Sequence, residues 1–318
     1  MISDLANKKV VLITGCAKGG IGYEYCKAFA GLGCQVIGTD IPGRLNELSD
    51  LELDGIQVLP LDVLSDDSVM TTVTKIILEF GRVDVLINNA GIGCIGPISE
   101  LPLEEVRRTW EVNSLGQLRL VQAVTPHMIK SKFGRIANVG SIVGLVPTPW
   151  AGPYCASKAW AHAMSDVLRM ELKPFGVHVI KVMPGMVRSN FGRSSSDRLN
   201  SREWKLYKEF EEVIQERAKA SQGGRAAKAA EVAKVVASKV LQPRPPREII
   251  VGGFTGFLGL LAWSPGPVRD FYFANRQAAK AEKRHQPELV FLRNFPAEHR
   301  ELLVVVNAAS FPLSISFR

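Results

Sequence analysis

The feature that most restricts the fold of this chain is a junction near its start. A short apolar run, Val10 to Thr14 (VVLIT), enters a glycine-rich turn, TGCAKGGIG from Thr14 to Gly22, and a helical pattern follows from Ile21 to Leu32. An apolar run bounded by such a turn reads as a strand buried on both faces, which belongs inside a parallel sheet. Glycines let the backbone approach a pyrophosphate, and the helix N-terminus behind the turn supplies N–H groups and positive potential. In this strand–turn–helix setting the turn reads as a dinucleotide cradle, with an ordinary tight turn as the plain alternative.

The rest of the chain repeats the alternation. Strands are expected at Gln35 to Thr39, Ile56 to Pro60, Val83 to Asn88, Gly134 to Val139, Val177 to Val182 and Arg247 to Val251. Helical patterns fill Asp66 to Phe80, Leu103 to Lys130 and Pro153 to Leu172. Strands alternating with helices imply an α/β protein with a Rossmann-type, doubly wound parallel sheet of about seven strands and helices on both faces. Ligands then bind beyond the carboxyl ends of the strands, at the switch point. The expected organisation is a catalytic domain over residues 1–252, containing a helical substrate lid at 193–242, and an apolar then basic C-terminal extension over 253–318.

Composition narrows the partners. The chain has 318 residues and a formal net charge of +8, which suits phosphorylated substrates or anionic membrane surfaces. Nucleic acid is not expected, because no zinc spacing, basic arm or stacking-aromatic pattern accompanies the charge. Cys16, Cys26, Cys34, Cys94 and Cys155 are odd in number and lack metal-ligand spacing, so they read as reduced thiols and no metal is expected. The first nine residues show no secretory pattern. No stretch reaches a spanning length; Ile249 to Trp263 comes nearest and reads equally as core or as a membrane-surface segment. Arg269, Arg276, Lys280, Lys283 and Arg284 follow it and suit anionic lipid.

A proton-transfer set stands out. Tyr154 and Lys158 are four apart at the start of a helical pattern, so they share one face. A neighbouring ammonium is expected to lower the phenol pKa. Ser141 ends a strand and can donate to a substrate carbonyl. Asn113 falls in a helical pattern where asparagine is unfavourable, and can hold a water beneath Lys158. Asp40, after the second strand, can accept the ribose hydroxyls of NAD and repel the 2′-phosphate of NADP. Lys18 and Arg44 pull the other way.

Together TGCAKGGIG, NNAG at Asn88 to Gly91, EVNSLG around Asn113, NVGS ending at Ser141, YCASK at Tyr154 to Lys158 and PGMVRS at Pro184 to Ser189 resemble the signatures of the short-chain dehydrogenase/reductase family. The resemblance implies that Tyr154 is the acid–base, that Lys158 lowers its pKa and binds the nicotinamide ribose, that Ser141 polarises the carbonyl and that Asn113 supports the relay. It implies cofactor contacts from Gly15, Lys18, Gly20, Ile21 and Gly22, from Asp40, Asp62 and Val63, and from Asn89, Ala90 and Gly91. Pro184, Gly185, Val187 and Ser189 would border the nicotinamide amide. One departure is visible: four residues, not three, separate the first glycine from Gly20, which alters the aim of Lys18.

Within the family, PWAGPYCASK, ELKPFGV and KLYKEFEEVIQERA resemble the group that reduces 1-acyldihydroxyacetone phosphate with NADPH. NADP(H) is therefore expected ahead of NAD(H), with Asp40 arguing for the latter. The expected substrate is a lipid-like carbonyl compound; a retinoid, steroid or specialised-metabolite alcohol or ketone is the alternative, and a non-catalytic scaffold the third reading. Arg188, Arg193, Arg198 and Arg202 are the candidate phosphate contacts, with a solvated basic loop as the plain alternative. Trp204, Tyr207, Phe210, Val213 and Ile214 read as one apolar helical stripe that packs on the core or covers an acyl chain. The resemblance implies a homodimer built on the Tyr154 helix, with packing of that helix within the monomer as the alternative. Residence on the cytoplasmic side, at an endoplasmic-reticulum or lipid-droplet surface, is expected. The last twenty residues match nothing in the family pattern.

Overall fold

The computed structural model describes residues 8–192, Leu199 and residues 202–281, with 276–281 described by backbone only. Arg193, Arg198, the basic residues after 281 and the C-terminal segment lie outside the described residues. So do the side chains of Arg276 and Lys280.

Seven parallel strands form the central sheet: β1 (Val10–Thr14), β2 (Gln35–Asp40), β3 (Gln57–Pro60), β4 (Val85–Asn88), β5 (Gly134–Val139), β6 (Val177–Pro184) and, beyond a two-stranded ladder, Glu248–Val251. That ladder pairs β7 (Val187–Arg188) with β8 (Ala227–Lys228), so the last strand is β9. The sheet order is β3-β2-β1-β4-β5-β6-β9, which reverses direction between β1 and β4. The doubly wound sheet expected from the alternation is therefore present.

The helices are α1 (Ile21–Gly31), α2 (Ser49–Leu53), α3 (Asp66–Phe80), α4 (Leu103–Trp110), α5 (Gly116–Ser131), α6 (Gly152–Leu172), α7 (Glu211–Lys219), α8 (Ala229–Val240), α9 (Thr255–Trp263) and α10 (Gly266–Ala281). Local signals explain several ends. The Ser65 side chain accepts from the Ser68 amide at the start of α3, and Gly81 closes that helix in the left-handed region. Two apolar cores form, one on each sheet face. Phe29 of α1 and Val236 of α8 lie in one; Leu86 of β4, Leu120 of α5 and Ile76 of α3 lie in the other. Each large apolar side chain fully buried this way contributes ~1.5–3 kcal/mol.

Three elements depart from the periodicity. The helix expected across Leu103 to Lys130 is interrupted by a π turn at Glu111–Leu115, centred on Asn113. Trp204, Tyr207 and Phe210 do not share one helix. The carboxylate of Glu100 accepts from the amides of Lys205 and Leu206, holding that segment irregular, and α7 begins only at Glu211. Ile249 to Trp263 divides into β9 and α9 at Gly252, whose φ of +103° suits glycine alone.

Candidate active site

The carboxyl ends of β1, β4, β5 and β6 open into one cavity of about 820 Å3. Its first half is bounded by the glycine turn and the ends of β2 and β4; its second by the β5–α6 loop, α7, α9 and α10.

The glycine turn is built for close approach. A Cβ at Gly15 would lie 2.8 Å from the Ala90 Cα, and one at Gly22 would lie 2.2 Å from the Gly15 carbonyl oxygen. Gly20 caps α1 with no side chain, leaving the first-turn amides directed to the cavity end of the helix. A second web fixes the turn to β4. Thr14 Oγ1 accepts from the amides of Asn89 (3.1 Å) and Ala90 (3.0 Å), and Asn89 Nδ2 donates to the carbonyls of Thr14 (2.9 Å) and Gly15 (3.0 Å). This backbone-lined cradle fits a dinucleotide.

The extra residue in the turn is absorbed at Gly19, which has φ +79°. Asn190 grips it from the helical turn that follows β7: its amide donates to Gly19 O at 2.8 Å, and its Nδ2 donates to Lys18 O at 2.7 Å. The Lys18 side chain turns outward and pairs with Asp50, which raises the lysine pKa and lowers the aspartate's. Lys18, Gly22 and Asn113 do not line the cavity; Gly15, Gly20, Ile21, Asp40, Asp62, Val63, Asn89, Ala90 and Gly91 do. Pro184, Gly185, Val187 and Ser189 line its far edge. Asp40 has more than a ligand to face: its Oδ2 accepts from the Ala17 amide and its Oδ1 from the Ile41 amide. Asp62 uses Oδ1 to accept from the Leu64 amide.

The proton-transfer residues converge at β5 and α6. Asn113 stands one layer behind the cavity, fully buried. Its Oδ1 accepts from the Ile92 amide (2.8 Å), while its Nδ2 donates to Ile92 O (2.9 Å) and Ser157 Oγ (3.0 Å). These bonds account for the π turn, since the widened helix lets Asn113 reach the strand end. Lys158 Nζ donates to Val139 O at 2.8 Å and lies 5.8 Å from the centroid of the Tyr154 ring. Ser141, Tyr154 and Lys158 all line the cavity.

Electrostatics in the protein alone differ from expectation. Burial pushes the Tyr154 phenol up to about 12; the Ser141 hydroxyl and, more weakly, the Arg217 charge pull it back. The Lys158 ammonium is directed to the Val139 carbonyl, and burial outweighs any lowering by it. The same burial holds Lys158 down at about 8.

The apolar half contains residues the motifs do not announce. Ile142, Val143, Trp150, Phe254, Leu258 and Phe273 line it. Phe254, Leu258 and Phe273 come from the region of α9 and α10, so part of the apolar run past β9 roofs the cavity. Arg217 of α7 enters the same wall, donating from Nε (3.1 Å) and Nη2 (2.9 Å) to Thr148 Oγ1. Of the arginines singled out after β6, the two that are described, Arg188 and Arg202, lie elsewhere. Arg188 is exposed on β7, and Arg202 pairs with Glu105 and stacks on Trp204, so neither lines the cavity.

A family model described as short chain dehydrogenase matches residues 9–200. The chain belongs to the short-chain dehydrogenase family. The dehydrogenase is 40% identical over 184 residues to the NADPH-dependent 1-acyldihydroxyacetone phosphate reductase of Schizosaccharomyces pombe, a match spanning 57% of this chain and 61% of that protein. It is 33% identical over 290 residues to a short-chain dehydrogenase of Hypocrea virens, covering 85% of this chain and 97% of that one. Among solved structures, a short-chain dehydrogenase from Streptomyces avermitilis superposes with a TM-score of 0.71 at 26% identity, over 86% of this chain and 98% of that chain. A closed serine dehydrogenase complexed with NADP+ superposes with a TM-score of 0.65 at 25% identity, over 77% of this chain and 95% of that chain. The dehydrogenase is an NAD(P)-dependent oxidoreductase acting on a small-molecule substrate.

The depressed Lys158 pKa sets a stability window. The ordinary value is 10.5, so between about pH 8 and 10.5 the unfolded chain binds a proton that the folded chain does not. Stability contributed by this group therefore rises with pH across that window, by ~3 kcal/mol at most. Urea titrations from pH 8 to 10 are expected to show wild-type stability rising relative to Lys158→Met; parallel profiles for the two proteins contradict the burial assignment.

Proposed function

We propose that the dehydrogenase reduces the ketone of 1-acyldihydroxyacetone phosphate to the secondary alcohol, with NADP(H) as cofactor. The observation that carries this reading is the composition of the substrate half of the cavity: an extended apolar wall into which a guanidinium, Arg217, enters close enough to Tyr154 to affect its pKa. An acyl chain suits the apolar wall, and a guanidinium suits phosphate oxygens. The similarity to the fission-yeast reductase supports the same substrate. NADP(H) is favoured because Asp40 is turned onto two backbone amides while Arg44 lines the cavity just past β2.

The nicotinamide, when bound, supplies or removes a hydride at the substrate carbon. The protein's part is proton handling and alignment. Ser141 donates to the substrate oxygen, and Tyr154 passes its proton to that oxygen as the alcohol forms. A phenol held near 12 stays protonated at neutral pH, which suits the reducing direction. Lys158, an ammonium below about pH 8, would hold the nicotinamide ribose and can return a proton toward the phenolate, and Asn113 holds the strand end beneath it. General acid help of this kind contributes ~10²–10⁴-fold.

Two surfaces extend the proposal. Val167 and Met170 form an exposed apolar stripe on α6, beside the Trp110–Trp160 ring pair, and suit a homodimer. Trp263 and Leu260 are exposed on α9, outside the apolar half, and suit contact with an endoplasmic-reticulum or lipid-droplet surface from the cytoplasmic side. A monomeric mass in solution contradicts the first, and failure to float with anionic vesicles contradicts the second.

The kinetic test uses NADPH and NADH over a panel of carbonyl substrates. Tyr154→Phe is expected to lower kcat by ~10²-fold or more while nucleotide binding survives. Arg217→Gln is expected to raise KM for the phosphorylated substrate ~10-fold or more and leave its dephosphorylated analogue unchanged. A Tyr154→Phe protein with near wild-type turnover removes the mechanism. Equal effects of Arg217→Gln on both substrates remove the phosphate.

A further inference from the structure

His162 lies on α6 one turn beyond Lys158, so Tyr154, Lys158 and His162 follow each other at i, i+4 and i+8 along one helix face. The first two meet the cavity. The third is buried beneath the turn that carries Ser141, and its ring fills the space of two absent side chains: a Cβ at Gly140 would lie 2.2 Å from His162 Nε2, and one at Gly144 would lie 2.6 Å from His162 Cε1. The Ser141 amide donates to His162 Nε2 at 3.4 Å.

That contact decides the protonation of the ring. An acceptor at Nε2 requires the neutral tautomer with its proton on Nδ1. The other tautomer, and the imidazolium, would set an N–H against the Ser141 N–H. Nδ1 has no hydrogen-bond partner among the described residues. A buried unpaired N–H is unfavourable, so packing alone would be better served by an apolar side chain. What histidine adds at this position is the Nε2 acceptor. The surroundings keep it neutral. Burial pushes its pKa down to about 4, assisted by the cations of Lys181 and Lys158 and opposed by Asp166 and Glu248. The turn held by this contact has its other ends tied as well: the Gly140 amide donates to Val182 O, and the Ser141 hydroxyl contacts Pro184 O and the Val143 amide.

We propose that His162 is a positioning residue for Ser141, its Nε2 holding the Ser141 amide so that the Ser141 hydroxyl stays directed at the substrate oxygen and at Tyr154. This rests on the roles of Ser141 and Tyr154 proposed above. It assigns a function to a side chain that touches neither substrate nor nucleotide. His162 works on Tyr154 only through Ser141, whose hydroxyl lowers the phenol pKa.

The test compares His162→Leu and His162→Gln with Ser141→Ala and Tyr154→Phe, in both reaction directions and across pH. Glutamine retains an acceptor at the position of Nε2; leucine does not. His162→Leu is expected to lower kcat by ~10–100-fold, with nucleotide KM within about twofold, because misalignment of a reacting group has effects of this order. Its profile for alcohol oxidation, which requires the phenolate, is expected to move to higher pH. His162→Gln is expected to recover most of the kcat and the wild-type profile. A folded His162→Leu protein with unchanged kcat and pH profile overturns the proposal, and so does a glutamine variant as impaired as leucine. If Tyr154→Phe and Ser141→Ala retain turnover, the underlying reading of the site fails. If those two are inactive and His162→Leu is normal, only the positioning role fails. Should His162→Leu not fold, nitrogen NMR of the wild-type protein decides: an unprotonated Nε2 at neutral pH supports the assignment, and a proton on Nε2 overturns it.

Discussion

The seam between β1 and β4 is where the molecule's chemistry is anchored. One hydroxyl, Thr14 Oγ1, accepts two amides from the end of β4, and one side-chain amide, Asn89 Nδ2, donates to two carbonyls of the glycine turn. These bonds cross the place where sheet order reverses, so no strand-to-strand ladder continues the job beyond the strand ends. They hold the cradle at a set distance from the chain segment that leads to Gly91 and Ile92. Ile92 in turn holds Asn113, and Asn113 holds Ser157 beside Lys158. The nucleotide side and the proton-transfer side are thus joined by a short chain of buried hydrogen bonds rather than by loop packing.

That architecture separates two electrostatic tasks. Burial keeps the phenol protonated and makes the nearby ammonium easy to deprotonate, two shifts that both follow from placing ionisable groups in a wall of low polarity. Alignment then falls to neutral groups: the Val139 carbonyl for Lys158, and the His162 ring and Pro184 carbonyl for Ser141. A site arranged this way can donate a proton without holding a fixed counter-charge against the substrate oxygen.

The parts of this legible from sequence are those with local causes. The strands of the sheet announce themselves as short apolar runs, and the motifs around Gly15, Asn113, Ser141 and Tyr154 converge because the topology brings strand ends together. Asn113 was conspicuous in a helical pattern for a sound reason: its side chain competes for backbone groups, and the helix widens to accommodate it. Long-range pairing was not legible. Nothing local tells that Lys18 meets Asp50, that Glu100 pins residues 205–206, or that Asp40 is taken up by Ala17. Arg217 was hidden inside an amphipathic pattern, where a charged residue reads as solvent-facing until the helix is placed over the cavity. Of the arginines in the stretch after β6, Arg188 and Arg202 are described and neither lines the cavity, and a basic run carries no information about which way its side chains turn.

The most direct measurement is a crystal structure of the protein with bound NADP+ and a non-reducible ketone analogue. The account predicts the pyrophosphate against Gly15 and Gly20, the nicotinamide ring facing Tyr154, and the analogue's oxygen within hydrogen-bond reach of both the phenol and the Ser141 hydroxyl. A phenol turned away from the nicotinamide, or an analogue bound out of reach of both hydroxyls, contradicts it.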